Sequence, residues 1–417
     1  MIIERPVYLK RLIDRQNNGM IKIITGLRRS GKSYLLFELF RRHLLDAGIP
    51  EDHIVALALD IRSNERYRDP DEILKYLEGK MSGSGMYYIF LDEVQMLDDF
   101  AAVLNELLHW RNADVYVTGS NSRFLSTDIL TEFRGRGDEV RVHPLAFSEY
   151  TPAHPGTTED AWQDYFIYGG LPQILSMKTD EQKSQYLDGI FQTVYIKDIK
   201  DRNRLQHEQE MNEILDILAS ATGSLTNPSK LADTFRGKRR SKISDKTVAR
   251  YCQYLENAFL LNKSVRYDVK GKAYISTPFK YYFEDPGLRN ARLRFRRTEE
   301  NHIMENILYN ELRYRGYQVD VGVVEVREKN TAGNYVRKPL EIDFVANSGN
   351  KRCYVQSAFE MLSTAKMEQE KRPFRRVGDS FRKIIVVRDK IKLRRDEEGV
   401  VTMGLLDFLL DPASLEQ

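Results

Sequence analysis

Gly26-Leu27-Arg28-Arg29-Ser30-Gly31-Lys32-Ser33 sets two glycines, a lysine and a hydroxyl at the spacing of a phosphate cradle, G-x-x-x-x-G-K-S. Glycine adopts the backbone angles that let a tight loop turn successive N–H groups inward onto phosphate oxygens. Lys32 is placed to reach the β- and γ-phosphates, and the Ser33 hydroxyl to ligate Mg2+. Residues 26–34, Tyr34 included, form the candidate cofactor-binding set, with ATP and Mg2+ as the cofactors. A second group, Asp92-Glu93, follows four apolar residues. A carboxylate at the end of a buried strand holds Mg2+ directly or through water, and its neighbour polarises the attacking water as general base. An acidic pair that only caps a helix is the competing account. Asn121 ends a later apolar run, where an amide would touch the γ-phosphate or the lytic water; a plain turn residue fits there as well. Arg134-Gly135-Arg136 offers a guanidinium, Arg136 ahead of Arg134, to sense γ-phosphate in the same chain or in a neighbouring subunit. The bland alternative is a solvated basic turn.

These groups need a scaffold that brings several loops to one edge. The run 21–25 reads as a strand entering the cradle, and Ser33 opens a helical pattern over 32–47 with Leu35, Leu36, Leu39, Phe40 and Leu44 on one side. Residues 54–59 read as a buried strand, and Asp69-Pro70 starts a helix carrying Ile73, Leu74 and Leu77. A strand over 87–91, a helix over 99–110 and a strand over 115–121 follow. Strands alternating with helices imply an α/β fold with a parallel sheet covered on both faces.

Together the cradle, Leu91-Asp92-Glu93-Val94-Gln95, Thr118-Gly119-Ser120-Asn121-Ser122, Arg134-Gly135-Arg136 before Pro144-Leu145, Tyr168-Gly169-Gly170-Leu171-Pro172 and Tyr281-Tyr282-Phe283-Glu284-Asp285-Pro286-Gly287-Leu288 resemble one family. It is the bacterial and archaeal AAA-type ATPases that carry a C-terminal domain of unknown function. The resemblance spans nearly the whole chain. It implies a P-loop NTPase core over 1–150 and a small helical part over 151–205 similar to the lid that packs over nucleotide in AAA-type proteins.

Downstream, three short helical patterns near 211–221, 227–235 and 244–256 precede alternating residues that return after Gly271, the order of a winged helix over 206–290. In that fold the third helix enters the DNA major groove. Lys238, Arg239, Arg240 and Lys242, with Arg236, put five positive charges in seven residues before it, and Lys246 and Arg250 lie on it. Such clusters engage phosphates; a protein-binding winged helix with a solvated basic loop is the other account. From 291 to 417 the order α-β-β-β-α-β resembles the PD-(D/E)xK nuclease core. That core needs two acids on Mg2+ and a lysine. Asp343 fits the first acid and Glu305 supports it, but the expected E-x-K reads Gln356-Ser357-Ala358. An amide ligates metal weakly and a methyl group does no charge work, so a degenerate site is expected, with an unrelated α/β domain as the alternative.

Composition narrows the rest. At 417 residues, with 41% apolar and 30% charged residues, the chain is of ordinary globular composition and holds more than one domain. A net charge of +3 names no partner. Two distant cysteines exclude a disulfide framework, and no histidine or cysteine spacing suits zinc. Neither a signal peptide nor a membrane-length apolar run is present, so a cytoplasmic protein is expected. No Asn-Lys-x-Asp guanine-reading motif occurs. The expectation is a Mg-ATP hydrolase associated with DNA, with a possible homo-oligomer through Arg136. A nucleotide-dependent switch or adaptor with little turnover, or a DNA nuclease, are the alternatives.

Overall fold

The computed structural model describes residues 2–119, 135–203, 205, 208–239, 243–296, 299–329, 334–360 and 363–417. The chain divides into two compact units. One is Met1–Pro144 with Leu171–Gln173 and Asn257–Phe259; the other is Leu145–Gly170, Ile174–Glu256 and Leu260–Gln417.

In the first unit, helix α1 (Pro6–Ile13) opens with proline in its first turn, where a missing N–H costs nothing. Strands β1 (Ile21–Thr25), β2 (Ile54–Ala58), β3 (Tyr87–Asp92), β4 (Ala113–Thr118) and β5 (Gly137–Arg141) form one sheet in the order β2-β3-β4-β1-β5. Every pairing is parallel. β1 and β3 are buried at every position, as strands covered on both faces must be. Helix α2 continues from Lys32–Tyr34 through a π turn, Leu35–Phe40, into Arg41–Asp46. It packs Phe40 against Tyr116 and Phe90, with ring centroids 4.7 and 5.7 Å apart. On the other face, α3 (Pro70–Lys80) and α4 (Phe100–Leu107) bring Ile73, Leu77, Val103 and Leu104 onto Ile23, Leu91 and Val117. Asp69 caps α3 by accepting from the N–H groups of Asp71 and Glu72. β2 departs from the expected buried strand: it is a sheet edge and Ala56 is exposed.

In the second unit, helices α5 (Thr158–Tyr168) and α6 (Asp180–Ile190) precede α7 (Glu208–Ser220), α8 (Pro228–Arg239) and α9 (Asp245–Asn257). A hairpin follows, β6 (Leu261–Asp268) and β7 (Ala273–Phe283), then α10 (Pro286–Arg292) and α11 (Glu300–Tyr314). Next come β8 (Gln318–Lys329), β9 (Tyr335–Ser348), β10 (Lys351–Ala358), α12 (Thr364–Lys371), β11 (Arg382–Val387), β12 (Arg394–Arg395), β13 (Val400–Gly404) and α13 (Leu405–Leu410). The expected α-β-β-β-α-β order is present from α11 to β11. The expected break between 290 and 291 is not. β6 pairs in parallel with β8, so the hairpin and the later strands make one eight-stranded sheet, β12-β13-β11-β10-β9-β8-β6-β7. Merging satisfies backbone groups that two open edges would leave unpaired. The helices expected as a lid also belong to this unit, apart from 171–173.

The close approach of α5 to α10 explains two of the glycine-rich sequence motifs. A Cβ on Gly287 would lie 2.0 Å from the Tyr168 carbonyl oxygen. Gly169, at φ +75°, would put a Cβ 2.1 Å from Asp285 Oδ1. Asp285 is buried and accepts from Gly170 N at 2.7 Å and from Leu288 N at 3.1 Å, capping α10. Among the described residues no helix is long and apolar enough to cross a membrane.

Candidate functional site

The cradle sits where β1 gives way to α2, at the C-terminal edge of the parallel sheet. Its turn is built from left-handed backbone at Gly26 (φ +133°), Arg29 (φ +66°) and Gly31 (φ +93°). Gly26 has no substitute: a Cβ there would lie 2.0 Å from the Val142 carbonyl oxygen. Lys32 is buried, and its Nζ donates to the carbonyls of Gly26 and Leu27 at 3.1 and 3.0 Å, spanning the loop. The Ser30 side chain is buried inside the loop, and its Oγ has no hydrogen-bond partner among the described residues.

Asp92 ends β3 and Glu93 follows it, one strand removed from β1 across β4. The sheet spacing places Ser33 Oγ 3.0 Å from Asp92 Oδ1 and makes it a donor to that carboxylate. Thr118, at the end of the intervening β4, donates its hydroxyl to the same Asp92 oxygen and accepts the Glu93 N–H at 3.0 Å. Burial pushes the Asp92 carboxyl above its ordinary range, and the hydrogen bonds from Thr118 and Ser33 pull it back down. Glu93 has left-handed backbone at φ +50°, and its carboxylate accepts from the Gln95 amide. Ser33, Asp92 and Glu93 therefore converge as expected, beside Lys32.

Three residues beside the site receive no role from the sequence, although Thr118 and Pro172 stand within the motifs of the family resemblance. Thr118 is one. Arg5 is a second: it is buried, and it donates to Ser30 O and to His143 O, each at 2.9 Å, tying the loop to the residues after β5. Pro172 is the third, with its Cγ 3.8 Å from where a Gly31 Cβ would stand. Arg5 carries no spacing signal and Thr118 enters only as part of a family motif; the fold is what gives each its contacts.

Arg136 does not join this group. Its carbonyl accepts from Ile21 N at 2.9 Å, at the N-terminal end of β1, and its side chain is exposed. β1 and β5 run in register, so a strand of five residues separates it from the cradle, roughly 15 Å. A γ-phosphate contact by Arg136 within its own chain is thus corrected. Asn121 and Arg134 lie outside the described residues.

In the second unit, Lys246 and Arg250 are both exposed one turn apart on α9. Arg240 and Lys242 lie outside the described residues, as do the side chains of Lys238 and Arg239. Arg236 is committed elsewhere, to Asp233 at 2.6 Å and Asp245 at 3.2 Å. Glu305, Asp343 and Gln356 do come together. Asp343 N donates to Gln356 Oε1 at 3.2 Å, across the β9–β10 pair. Lys280 from β7, which the sequence did not point to, donates to Glu305 at 2.9 Å. Among the described residues no group of three His, Cys, Asp or Glu side chains is arranged to hold a metal ion.

A parallel sheet with a glycine cradle at its edge, a hydroxyl after the cradle lysine and an acidic pair two strands away defines the P-loop NTPase fold. Residues 18–151 match the family model described as an AAA domain, and residues 159–299 match a domain of unknown function (DUF8612). An uncharacterized protein of Haemophilus influenzae is 31% identical over 98% of this chain and 99% of its own length. The chain belongs to the family of that protein, and its residues 18–151 are those that match an AAA domain. An uncharacterized protein of Methanocaldococcus jannaschii, MJ1544, is 26% identical over 89% of this chain and 80% of its own. Among solved structures, the Aeropyrum pernix ORC1 protein in complex with DNA aligns over 70% of this chain and 93% of its own, at 12% identity and a TM-score of 0.30. That likeness is too slight to bear on this chain.

Proposed function

We propose that this protein binds Mg-ATP at residues 26–34 and hydrolyses it, and that the second unit, acting at or near DNA, receives the conformational change. The observation that carries the reading is the junction of Ser33 Oγ and Asp92 Oδ1 at 3.0 Å, with Glu93 next in sequence and anchored to the same Thr118 hydroxyl. The loop N–H groups and Lys32 hold phosphate oxygens. Ser33 and Asp92 supply a hydroxyl and a carboxylate, hard oxygen donors of the kind Mg2+ takes alongside phosphates. When bound, the ion neutralises charge on the phosphates. Glu93 then accepts the proton of the attacking water, and Asn121 orients that water or reads the γ-phosphate.

The finer reading of the second unit rests on element order. Helices α7, α8 and α9 followed by the β6–β7 hairpin match a winged helix, with Lys238, Arg239, Arg240, Lys242, Lys246 and Arg250 as phosphate contacts. The elements α11 to β11 match a nuclease-like core whose site, lacking an acid at Gln356 and a lysine at Ala358, does not cleave. The test is nucleotide binding and steady-state ATP hydrolysis. Lys32→Ala is expected to lose nucleotide binding. Glu93→Gln is expected to bind ATP with wild-type affinity and to turn over at least about 100-fold more slowly. Unchanged nucleotide binding by Lys32→Ala sinks the proposal.

A further inference from the structure

The nuclease-like centre already contains a cation. Lys280 Nζ donates to Glu305 Oε1 at 2.9 Å and to Glu341 Oε1 at 2.7 Å, and its side chain is buried. β7 is separated from β9 in the sheet by β8 and β6, yet this lysine reaches Glu341 in the middle of β9. Burial pulls the lysine pKa down, but the charges of Glu305, Asp343 and Glu341 outweigh it and hold the ammonium above the ordinary range.

One oxygen each of Glu305, Glu341, Asp343 and Gln356 already has a partner. Glu305 Oε1 accepts from Tyr282 at 2.7 Å as well as from Lys280. Asp343 Oδ2 accepts from Ser357 N at 2.8 Å. Gln356 Oε1 is turned to the Asp343 N–H. Three carboxylates still face one ammonium. Burial, then the neighbouring Glu305, push the Asp343 carboxyl well above its usual range.

We infer that Lys280 is the resident cation of this centre: its ammonium stands in for a divalent metal among Glu305, Glu341 and Asp343, which makes the domain a binding element rather than a cutting one. Breaking a buried pair by removing one partner leaves charge uncompensated, so a neutral residue at 280 turns the cluster into a seat for a divalent ion. The inference rests on the nuclease-like reading of α11 to β11 and is independent of nucleotide hydrolysis.

The experiment titrates Mn2+ into the full chain, free of nucleotide, with electron paramagnetic resonance counting bound ions and thermal melting run in parallel. Asp343→Asn serves as the control that isolates this centre. Wild type and Asp343→Asn are expected to bind Mn2+ equally. Lys280→Met is expected to melt lower than wild type in chelator, to gain one bound Mn2+ and to recover melting temperature with it. The double variant with Asp343→Asn loses that gain. Asp343-dependent Mn2+ binding by the wild type overturns the inference. So does a Lys280→Met chain that gains no ion, or that stays unfolded with Mn2+ as it does without.

Discussion

Thr118 carries no charge, yet one hydroxyl serves both acids of the site, donating to Asp92 and accepting from the Glu93 backbone. Thr118→Val keeps the shape and removes the hydroxyl. The Glu93 N–H then loses its acceptor, a loss worth about 1–3 kcal/mol when such a group is buried. Losing the Thr118 bond also removes the larger of the two hydrogen bonds that pull the Asp92 carboxyl down against burial, so that carboxyl rises further. A higher Asp92 pKa means the ionised form is lost at higher pH as acid is added. The expected outcome is an ATPase pH profile whose acid limb moves up in Thr118→Val, at roughly unchanged nucleotide affinity; a profile superimposable on wild type refutes it. At this scale the sequence discloses residues whose type and spacing are set by phosphate chemistry: Gly26, Lys32, Ser33, Asp92 and Glu93. It does not disclose the roles of Thr118, Arg5 or Lys280, because hydrogen bonds from a neighbouring strand or a distant hairpin depend on the sheet order and leave no spacing behind.

Among the elements, α10 is held by a steric condition that the sequence states and a titratable group that it hides. Gly287 has ordinary backbone angles, so its need for glycine is the 2.0 Å approach to the Tyr168 carbonyl and nothing else. Gly287→Ala must push α5 from α10, and a loss of about 3 kcal/mol is expected, read as a lower denaturation midpoint. Asp285 adds a pH dependence. Burial raises its carboxyl to about 7 from an ordinary 3.8, against the opposing N–H bonds of Gly170 and Leu288. Between those two pH values the folded chain holds a proton that the unfolded chain has released. Its contribution is therefore full below pH 4 and is lost as pH rises toward 7. Comparing unfolding free energies at pH 5 and pH 7, Asp285→Asn is expected to flatten the part of the decline due to this group; an unaltered slope argues against it. The strands and helices with strong apolar periodicity, β1, β3, α2 and α11, were legible beforehand. β5, Gly-Asp-Glu-Val-Arg, was not. It is an edge strand with one fully buried position, and its place is fixed by pairing with β1 rather than by its own pattern.

For the molecule as a whole, the position of Arg136 decides how one copy would complete another. It is exposed at the N-terminal end of β5, while the cradle lies at the C-terminal end of β1, and the two strands are parallel neighbours. One chain thus presents a cradle on one edge of its sheet and an exposed guanidinium on the opposite edge. Two unlike surfaces on one chain associate head to tail, and such contacts close into rings when the rotation permits. If Arg136 works in trans, it stabilises the charge that develops on the phosphates of the next copy, an effect worth about 10³-fold or more in turnover where such arginines act. Arg136→Ala alone is then expected to keep ATP binding and lose turnover by that order. The decisive arm is a mixture. Lys32→Ala chains cannot hold nucleotide but still offer Arg136, whereas Arg136→Ala chains hold nucleotide but lack the arginine. Each is inactive by itself, and mixing them is expected to restore hydrolysis at the junctions where a Lys32→Ala copy faces an Arg136→Ala cradle. Activity that stays absent in the mixture, or a wild-type rate per chain that does not change on dilution below the point where the measured mass becomes that of a monomer, leaves Arg136 without a catalytic role.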